Sequence, residues 1–69
     1  MNDRIYELTP RQVQVIRLVG KGQTNREIAL TLGLEEATVK THVTLIIRKM
    51  KARNRAHIVA LFTQWGGEL

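Results

Sequence analysis

The sequence predicts a small all-α domain of four helices, and three observations lead to this fold class. Apolar residues recur at three- and four-residue spacings in four separate stretches, which is the period of one helix face. Residues suited to helix N-caps precede three of these stretches. The chain has 69 residues, a length that buries about 60% of its unfolded surface, so we expect one layer of helices and no roomy active-site cleft.

The first helix is predicted to begin at Pro10, because Thr9 fits an N-cap and Gln12 fits the reciprocal partner of a capping box. The segment 20–22, Gly-Lys-Gly, is typical of a left-handed helix end. The predicted buried stripe of this helix comprises Val15, Ile16, Leu18 and Val19. Residues 1–7 are polar and show no periodic signal, so we expect a flexible lead-in there.

A second short helix and a tight turn are predicted before the third stretch. Thr24 and Glu27 form a second capping box. Gly33 can adopt the positive φ that the turn requires. Ala29 lies four residues before Gly33 and Val39 six after it, which suits two helices that cross closely. This spacing indicates a helix-turn-helix.

The third helix, predicted over residues 37–50, has two faces of different character. Its apolar stripe comprises Val39, Val43, Ile46, Ile47 and Met50. The opposite face comprises Lys40, Thr41, Thr44 and Arg48. Cations and threonine side chains are groups that contact phosphates, base edges and thymine methyls in a DNA groove. An ordinary solvated helix face is the alternative interpretation of this helix taken alone.

Positive charge is concentrated in the C-terminal half of the chain. The net charge is +5, and residues 38–67 contain no Asp or Glu. The cations there are Lys40, Arg48, Lys49, Lys51, Arg53 and Arg55. A field of one sign favours polyanions, either nucleic acid or an anionic membrane surface, with a merely basic soluble surface as the alternative.

A last helix is predicted over residues 55–65. Asn54 is its N-cap, and two glycines follow its end. Its inner face comprises Ile58, Leu61, Phe62 and Trp65. Its other side comprises Ala56, Val59, Ala60 and Thr63. These small residues would let a twin helix approach across a two-fold axis, so we expect a weak homodimer, with a simple solvated face as the alternative.

The types of residue present, and their spacing, argue against catalysis and metal binding. The chain has no Cys, no Ser, one Asp and two His, and it lacks the spacings of known catalytic motifs. His42 and His57 have no companion ligands, so we expect neither a metal nor a cofactor. No apolar run reaches the roughly 20 residues of a membrane span, and the start lacks the core of a signal peptide. We therefore expect a soluble, cytoplasmic protein that is not an enzyme.

With these residues identified, the sequence resembles the LuxR-type, or FixJ/NarL-type, helix-turn-helix domain of bacterial transcription regulators. The resemblance covers residues 8–62, and we assign the domain to residues 8–67. The motifs that carry it are LTPR, TNREIA, TVKTH, RKM and RNR, in this order. It implies a four-helix bundle that binds double-stranded DNA, with the third helix in the major groove and the fourth in a dimer contact. It also makes RNA polymerase a candidate partner.

The resemblance also implies which residues contact DNA. Positions that touch bases or nearby phosphates in the family correspond here to Lys40, Thr41 and Thr44. The helix starts at Thr24, Asn25 and Thr38 are placed to hold phosphates. The remaining candidates are His42, Arg48 and Arg55, of which His42 borders the core stripe and Arg55 is expected to hold a phosphate.

Three positions depart from the family pattern. Gln12 replaces an acidic residue, Glu35 replaces the Ser that usually caps the third helix, and Lys51 stands where Gly is frequent. A carboxylate at Glu35 suits the helix dipole but repels a phosphate. For that reason Glu35 is not counted among the contacts.

Two alternatives stay open at this point. A protein-docking module would need large apolar residues on the polar face of the third helix, where Leu45 is the only one. The promoter-binding end of a sigma factor is a related helix-turn-helix and a closer alternative. The sequence is compatible with a stand-alone regulator and with the C-terminal domain of a longer one.

Overall fold

Four α-helices follow one another and pack around a single core in this computed structural model, which describes residues 3–69. They are α1 (Pro10–Gly20), α2 (Asn25–Leu32), α3 (Glu36–Met50) and α4 (Arg55–Gln64), preceded by a 3-10 helix over Asp3–Glu7. Helix α3 packs against each of the other three helices, and α1 also packs against α4. The predicted all-α class and the four-helix bundle are confirmed.

The helix starts have the local hydrogen bonds that the sequence predicts. At α1 the Thr9 N–H donates to Gln12 Oε1 at 2.9 Å, and the Gln12 N–H donates to Thr9 Oγ1 at 3.1 Å. At α4 the Asn54 Oδ1 accepts from the His57 N–H at 2.9 Å. Each bond satisfies an amide that has no partner within its own helix.

The turn between α2 and α3 has the geometry of a helix-turn-helix. Gly33 lies in the left-handed region with φ 69° and ψ 37°. The Leu34 N–H donates to the Ala29 carbonyl at 2.9 Å, which closes the end of α2. Ala29 and Val39 are both buried. The predicted roles of these residues, namely a small residue at the crossing, a turn and an apolar plug, match the structure.

The core comprises the predicted stripes of α1, α3 and α4, together with Leu8 before α1 and with Ile28 and Ala29 of α2. Its largest fully buried side chains are Phe62, Ile16, Ile28, Ile46, Met50 and Ile58. Trp65 is also buried, which confirms core filling rather than base stacking for this aromatic residue. Ile47 and Leu61 are half-buried at the edge of the core.

Three boundaries differ from the sequence-based expectation. A flexible lead-in is expected for residues 1–7, yet Asp3–Glu7 form a 3-10 helix, while Met1 and Asn2 lie outside the described residues. Ile5 packs against the core, and the Arg4 guanidinium lies 4.4 Å from the centroid of the Trp65 ring. Helix α3 begins one residue earlier than predicted, and α4 ends one residue earlier.

Candidate nucleic-acid interface

The face of α3 that is turned away from the core carries cations and threonines. Val39, Val43 and Ile46 are buried on the inner side. We call the outer side the base-contact face; its members are all exposed, and they are Lys40, Thr41, Thr44 and Arg48. This face extends about 12 Å along the helix axis at roughly 1.5 Å per residue. A major groove about 12 Å wide admits one α-helix, whose diameter with side chains is about 10 to 12 Å.

The two threonines of the base-contact face offer different chemistry. The Thr41 hydroxyl donates to the Ala37 carbonyl at 3.1 Å, so it presents oxygen lone pairs and a methyl group to a ligand. Thr44 is exposed one turn further on, beside Leu45, which is 46% exposed. The exposed apolar atoms of Thr44 and Leu45 are suited to contact with thymine methyls. His42 is half-buried, as expected for a residue that borders the core stripe.

The start of α2 presents backbone donors. The Thr24 N–H donates to Glu27 Oε1 at 2.9 Å, and the Glu27 N–H donates to Thr24 Oγ1 at 3.2 Å. Two interactions hold the pKa of the Glu27 carboxyl group below its ordinary value. The larger is the hydrogen bond with the Thr24 backbone, and the smaller is the hydrogen bond with the Thr24 side chain. The N–H groups of Asn25 and Arg26, in the first helical turn, have no acceptor within the helix. Such amides at the positive end of a helix dipole favour an anion.

The start of α3 is capped through its backbone. The Glu35 carboxylate makes no cap hydrogen bond. The Thr38 N–H and the Val39 N–H both donate to the Glu35 carbonyl, at 3.1 and 3.2 Å. Thr38 is exposed in this first turn, as its predicted phosphate contact requires. The Glu35 carboxylate is exposed beside it and adds negative charge at the helix start.

Arg55 joins the start of α4 to the start of α2. Its Nη1 donates to Asn25 Oδ1, and its Nη2 donates to the Gln23 carbonyl at 2.7 Å. Two predicted phosphate contacts, Asn25 and Arg55, are therefore bonded to each other and half-buried. Sequence reasoning missed Gln23, because it takes part through a main-chain carbonyl and the residue type gives no signal.

The remaining cations of the C-terminal half lie at the surface. They are Lys40, Arg48, Lys49, Lys51 and Arg53, and all five are exposed. The Lys49 ammonium donates to Gln12 Oε1 at 3.3 Å, which links the end of α3 to the start of α1. Exposed charges of one sign raise the local concentration of a polyanion.

The predicted dimer face on α4 is partly available. Ala56, Ala60 and Thr63 are exposed, whereas Val59 is half-buried and packs against the core. Val59 and Ala56 also line a shallow groove with Arg55 and the end of α1. Small exposed residues on one side of α4 would let a second helix approach closely.

Among residues 3–69, no three His, Cys, Asp or Glu side chains are grouped so that they could hold a metal ion. None of the helices in that range is long and apolar enough to cross a membrane.

Comparison with known proteins identifies a matching family. The family described as bacterial regulatory proteins, luxR family, matches residues 6–62. The two-component response regulator PprB of Pseudomonas aeruginosa is 48% identical over 57 residues, which cover 83% of this chain and 21% of that protein. The nitrate/nitrite response regulator protein NarP of Escherichia coli is 37% identical over 65 residues, covering 94% of this chain and 30% of that protein. The chain therefore spans less than a third of the length of either relative.

The fold matches a solved structure. The structure of the transcription factor GerE superimposes with a TM-score of 0.82, covering 86% of this chain and 88% of that one. The sequence identity of that pair is 24%. At this identity the likeness establishes the four-helix fold, and the sequence relatives establish the family.

Proposed function

The chain belongs to the luxR family of bacterial regulatory proteins, whose domain is a DNA-binding helix-turn-helix of transcription regulators and not an enzyme, and on that premise we propose that α3 enters the major groove of double-stranded DNA. The observation that carries the proposal is the base-contact face. Its cations and threonines are exposed on the second helix of the helix-turn-helix, the helix that lies in the groove in such motifs.

Sequence selection is assigned to the base-contact face. Thr41, Thr44 and Lys40 lie within two turns of one another, and Arg48 extends the surface by one further turn. Side chains of these types contact base edges, thymine methyls and adjacent phosphates. His42 lies at the edge of this surface and is assigned a phosphate contact or a structural role.

Orientation on the duplex is assigned to the helix starts. Thr24 and Asn25 at α2, and Thr38 at α3, are placed where free amides and the helix dipole favour a phosphate. Arg55 belongs to the same surface through its bond to Asn25. Contacts of this kind fix the register of a protein on DNA and carry no sequence information of their own.

Pairing of two chains is assigned to α4. The proposed interface comprises Ala56, Val59, Ala60 and Thr63. A two-fold dimer would place two copies of α3 on successive half-sites. We expect this dimer to be weak in free solution and firm on DNA, with RNA polymerase a candidate partner of the bound complex.

Binding to duplex DNA across a salt series tests the proposal. Each neutralised phosphate contributes about 0.9 to the slope of log affinity against log salt concentration. Several contacts should therefore give a slope of several units in a fluorescence titration. A flat response would remove nucleic acid from consideration, because the exposed basic surface would then make no contribution to binding.

A second arm of the same experiment separates base contacts from phosphate contacts. The preferred site is first selected from a random library. Thr44→Ala should then lose about 1 to 3 kcal/mol on that site and little on random duplex, because it removes no charge. Thr31→Ala makes the same chemical change on α2, where the hydroxyl bonds to Gln23 Oε1 and the Glu27 carbonyl; any effect should be equal on the two duplexes, so the preference for the selected site should stay unchanged. Parallel losses on both duplexes for Thr44→Ala would mean that α3 does not select the sequence.

A further inference from the structure

The guanidinium of Arg55 donates two hydrogen bonds to residues at the start of α2. It is the first residue of α4, and its partners Gln23 and Asn25 lie 32 and 30 residues earlier in the chain. We propose that Arg55 is a positioning residue: it acts on DNA through Asn25 and the start of α2, and does not itself hold a phosphate. This inference rests on the proposed function, since it assigns Arg55 a role within that surface.

The chemistry of the contact determines how the Asn25 amide is turned. A guanidinium can only donate hydrogen bonds, so the atom of Asn25 that faces Arg55 must be Oδ1. The Nδ2 group of Asn25 then points away from Arg55 and presents two donors. Donors, and not an acceptor, are what a phosphate oxygen requires. Arg55 thus selects the orientation of Asn25 that can bind an anion.

The second hydrogen bond of Arg55 fixes the main chain just before α2. Nη2 of Arg55 donates to the Gln23 carbonyl at 2.7 Å, while the Gln23 N–H donates to the Leu18 carbonyl at 3.1 Å. Gln23 is therefore held from both α4 and α1. The capping box of Thr24 follows directly, so the position of Gln23 sets the direction of the amides in the first turn of α2.

Lysine cannot replace this arrangement. The guanidinium is planar and offers several donors in a fixed geometry, whereas the lysine ammonium is a single point donor on a flexible stem. Part-burial of Arg55 also reduces the screening of its charge. Arg55→Lys keeps the positive charge and removes the planar pair of donors. It therefore distinguishes an effect of charge from an effect of the two hydrogen bonds.

The test compares Arg55→Lys, Arg55→Ala and Arg53→Ala on random duplex across a salt series, after circular dichroism has established that each variant is folded. Both Arg55 variants should lose about tenfold in affinity, the size expected for lost charge-assisted hydrogen bonds. Both should also keep the wild-type salt slope, because neither removes a phosphate contact. Arg53 is exposed in the preceding turn, so Arg53→Ala controls for the removal of one nearby charge.

A direct phosphate contact predicts a different pattern. Arg55→Lys would then bind within about twofold of wild type, and Arg55→Ala would reduce the salt slope by about 0.9. That pattern would overturn the positioning role and leave the proposed function intact. Failure of the wild-type chain to bind duplex DNA would instead overturn both.

Asn25→Ala supplies a second line of evidence that leaves Arg55 in place. This variant should lose about as much affinity as Arg55→Lys, because both remove the oriented Asn25 donors. In the double variant the effect of Arg55→Lys should shrink to less than about threefold, since interacting residues are not additive. Full additivity of the two losses, or wild-type binding by Asn25→Ala, would contradict the inference.

Discussion

The ammonium of Lys49 lies 3.3 Å from Oε1 of Gln12, so the last turn of α3 is joined to the first turn of α1. The same oxygen accepts the Thr9 N–H at 2.9 Å as part of the capping box. One neutral amide oxygen therefore accepts hydrogen bonds from both a helix-capping N–H and a cation. A carboxylate at position 12 would serve both partners with a full negative charge.

Gln12→Glu is accordingly expected to stabilise the fold. The pair is exposed, so we expect about 0.5 kcal/mol in the free energy of unfolding, within the range for surface ion pairs. Urea unfolding at low and high salt measures it, and the gain should shrink at high salt. Gln14→Glu introduces the same charge on an exposed position of α1. Equal effects of the two substitutions would contradict the specific role of Lys49.

Lys51 ends α3 in a strained backbone conformation. Its φ of 55° and ψ of 39° lie in the left-handed region, and it is the one non-glycine residue with positive φ in the described chain. Glycine adopts this region without the steric cost that a Cβ imposes. We expect Lys51→Gly to raise the free energy of unfolding by about 1 kcal/mol. Lys51→Ala removes the same charge and keeps the Cβ, so thermal unfolding should show no comparable gain.

The conformation at Lys51 accounts for the glycine that the resemblance implies at this position, because the chain turns there with positive φ. This chain has lysine instead and accepts the strain. The turn remains closed, since the Ala52 N–H donates to the Ile47 carbonyl at 2.9 Å. A basic side chain at that place adds to the positive field of the C-terminal half.

What could be predicted from the sequence depends on whether a contact is local. The caps at Thr9, Thr24 and Asn54 join residues three positions apart, so residue types and spacing were sufficient. The buried stripes also followed from helical period. The faces of α3 could be separated for the same reason, which placed the exposed base-contact candidates correctly on the helix.

Contacts between distant segments could not be predicted in this way. The Arg55 contact to the Gln23 carbonyl uses a main-chain acceptor that every residue possesses. The packing of Ile5 against the core has a similar cause, since a single apolar residue in a polar segment shows no period. Tertiary structure decides both contacts: the first underlies the role proposed for Arg55, and the second accompanies the 3-10 helix found where a flexible lead-in is expected.

The capping box of α2 should weaken in acid. Hydrogen bonds from the backbone and side chain of Thr24 lower the pKa of Glu27 from its ordinary 4.5. A carboxyl group with a lowered pKa in the folded chain contributes stability above its unfolded pKa, and this is lost as the pH falls through the folded value. Urea unfolding at pH values from roughly 6 to 3 should show a smaller decline for Glu27→Gln than for the wild type, because glutamine keeps the acceptor and does not titrate. Identical declines would show that Glu27 makes no contribution.

Pairing through α4 can be tested at a position that the core does not use. Val59 is half-buried and packs against the core, so a charge there would disturb the fold as well as the proposed interface. Ala60 is exposed on the same side of the helix. Ala60→Glu should therefore keep the helical circular dichroism and change the unfolding temperature little, since exposed substitutions away from special features have small effects.

On DNA the same substitution should have an effect that depends on the number of half-sites. In the proposed two-fold dimer each copy of Ala60 would lie near the axis, so Ala60→Glu would bring two carboxylates together and oppose pairing. We expect at least about a tenfold loss on a duplex with two half-sites, equal to about 1.4 kcal/mol, and a much smaller loss on a single half-site. Gln64→Glu adds the same charge one turn further along α4 and controls for general repulsion between protein and DNA. Equal losses on one and two half-sites would mean that the chains bind DNA without contact through α4, and the small exposed residues of that helix would then be an ordinary solvated surface.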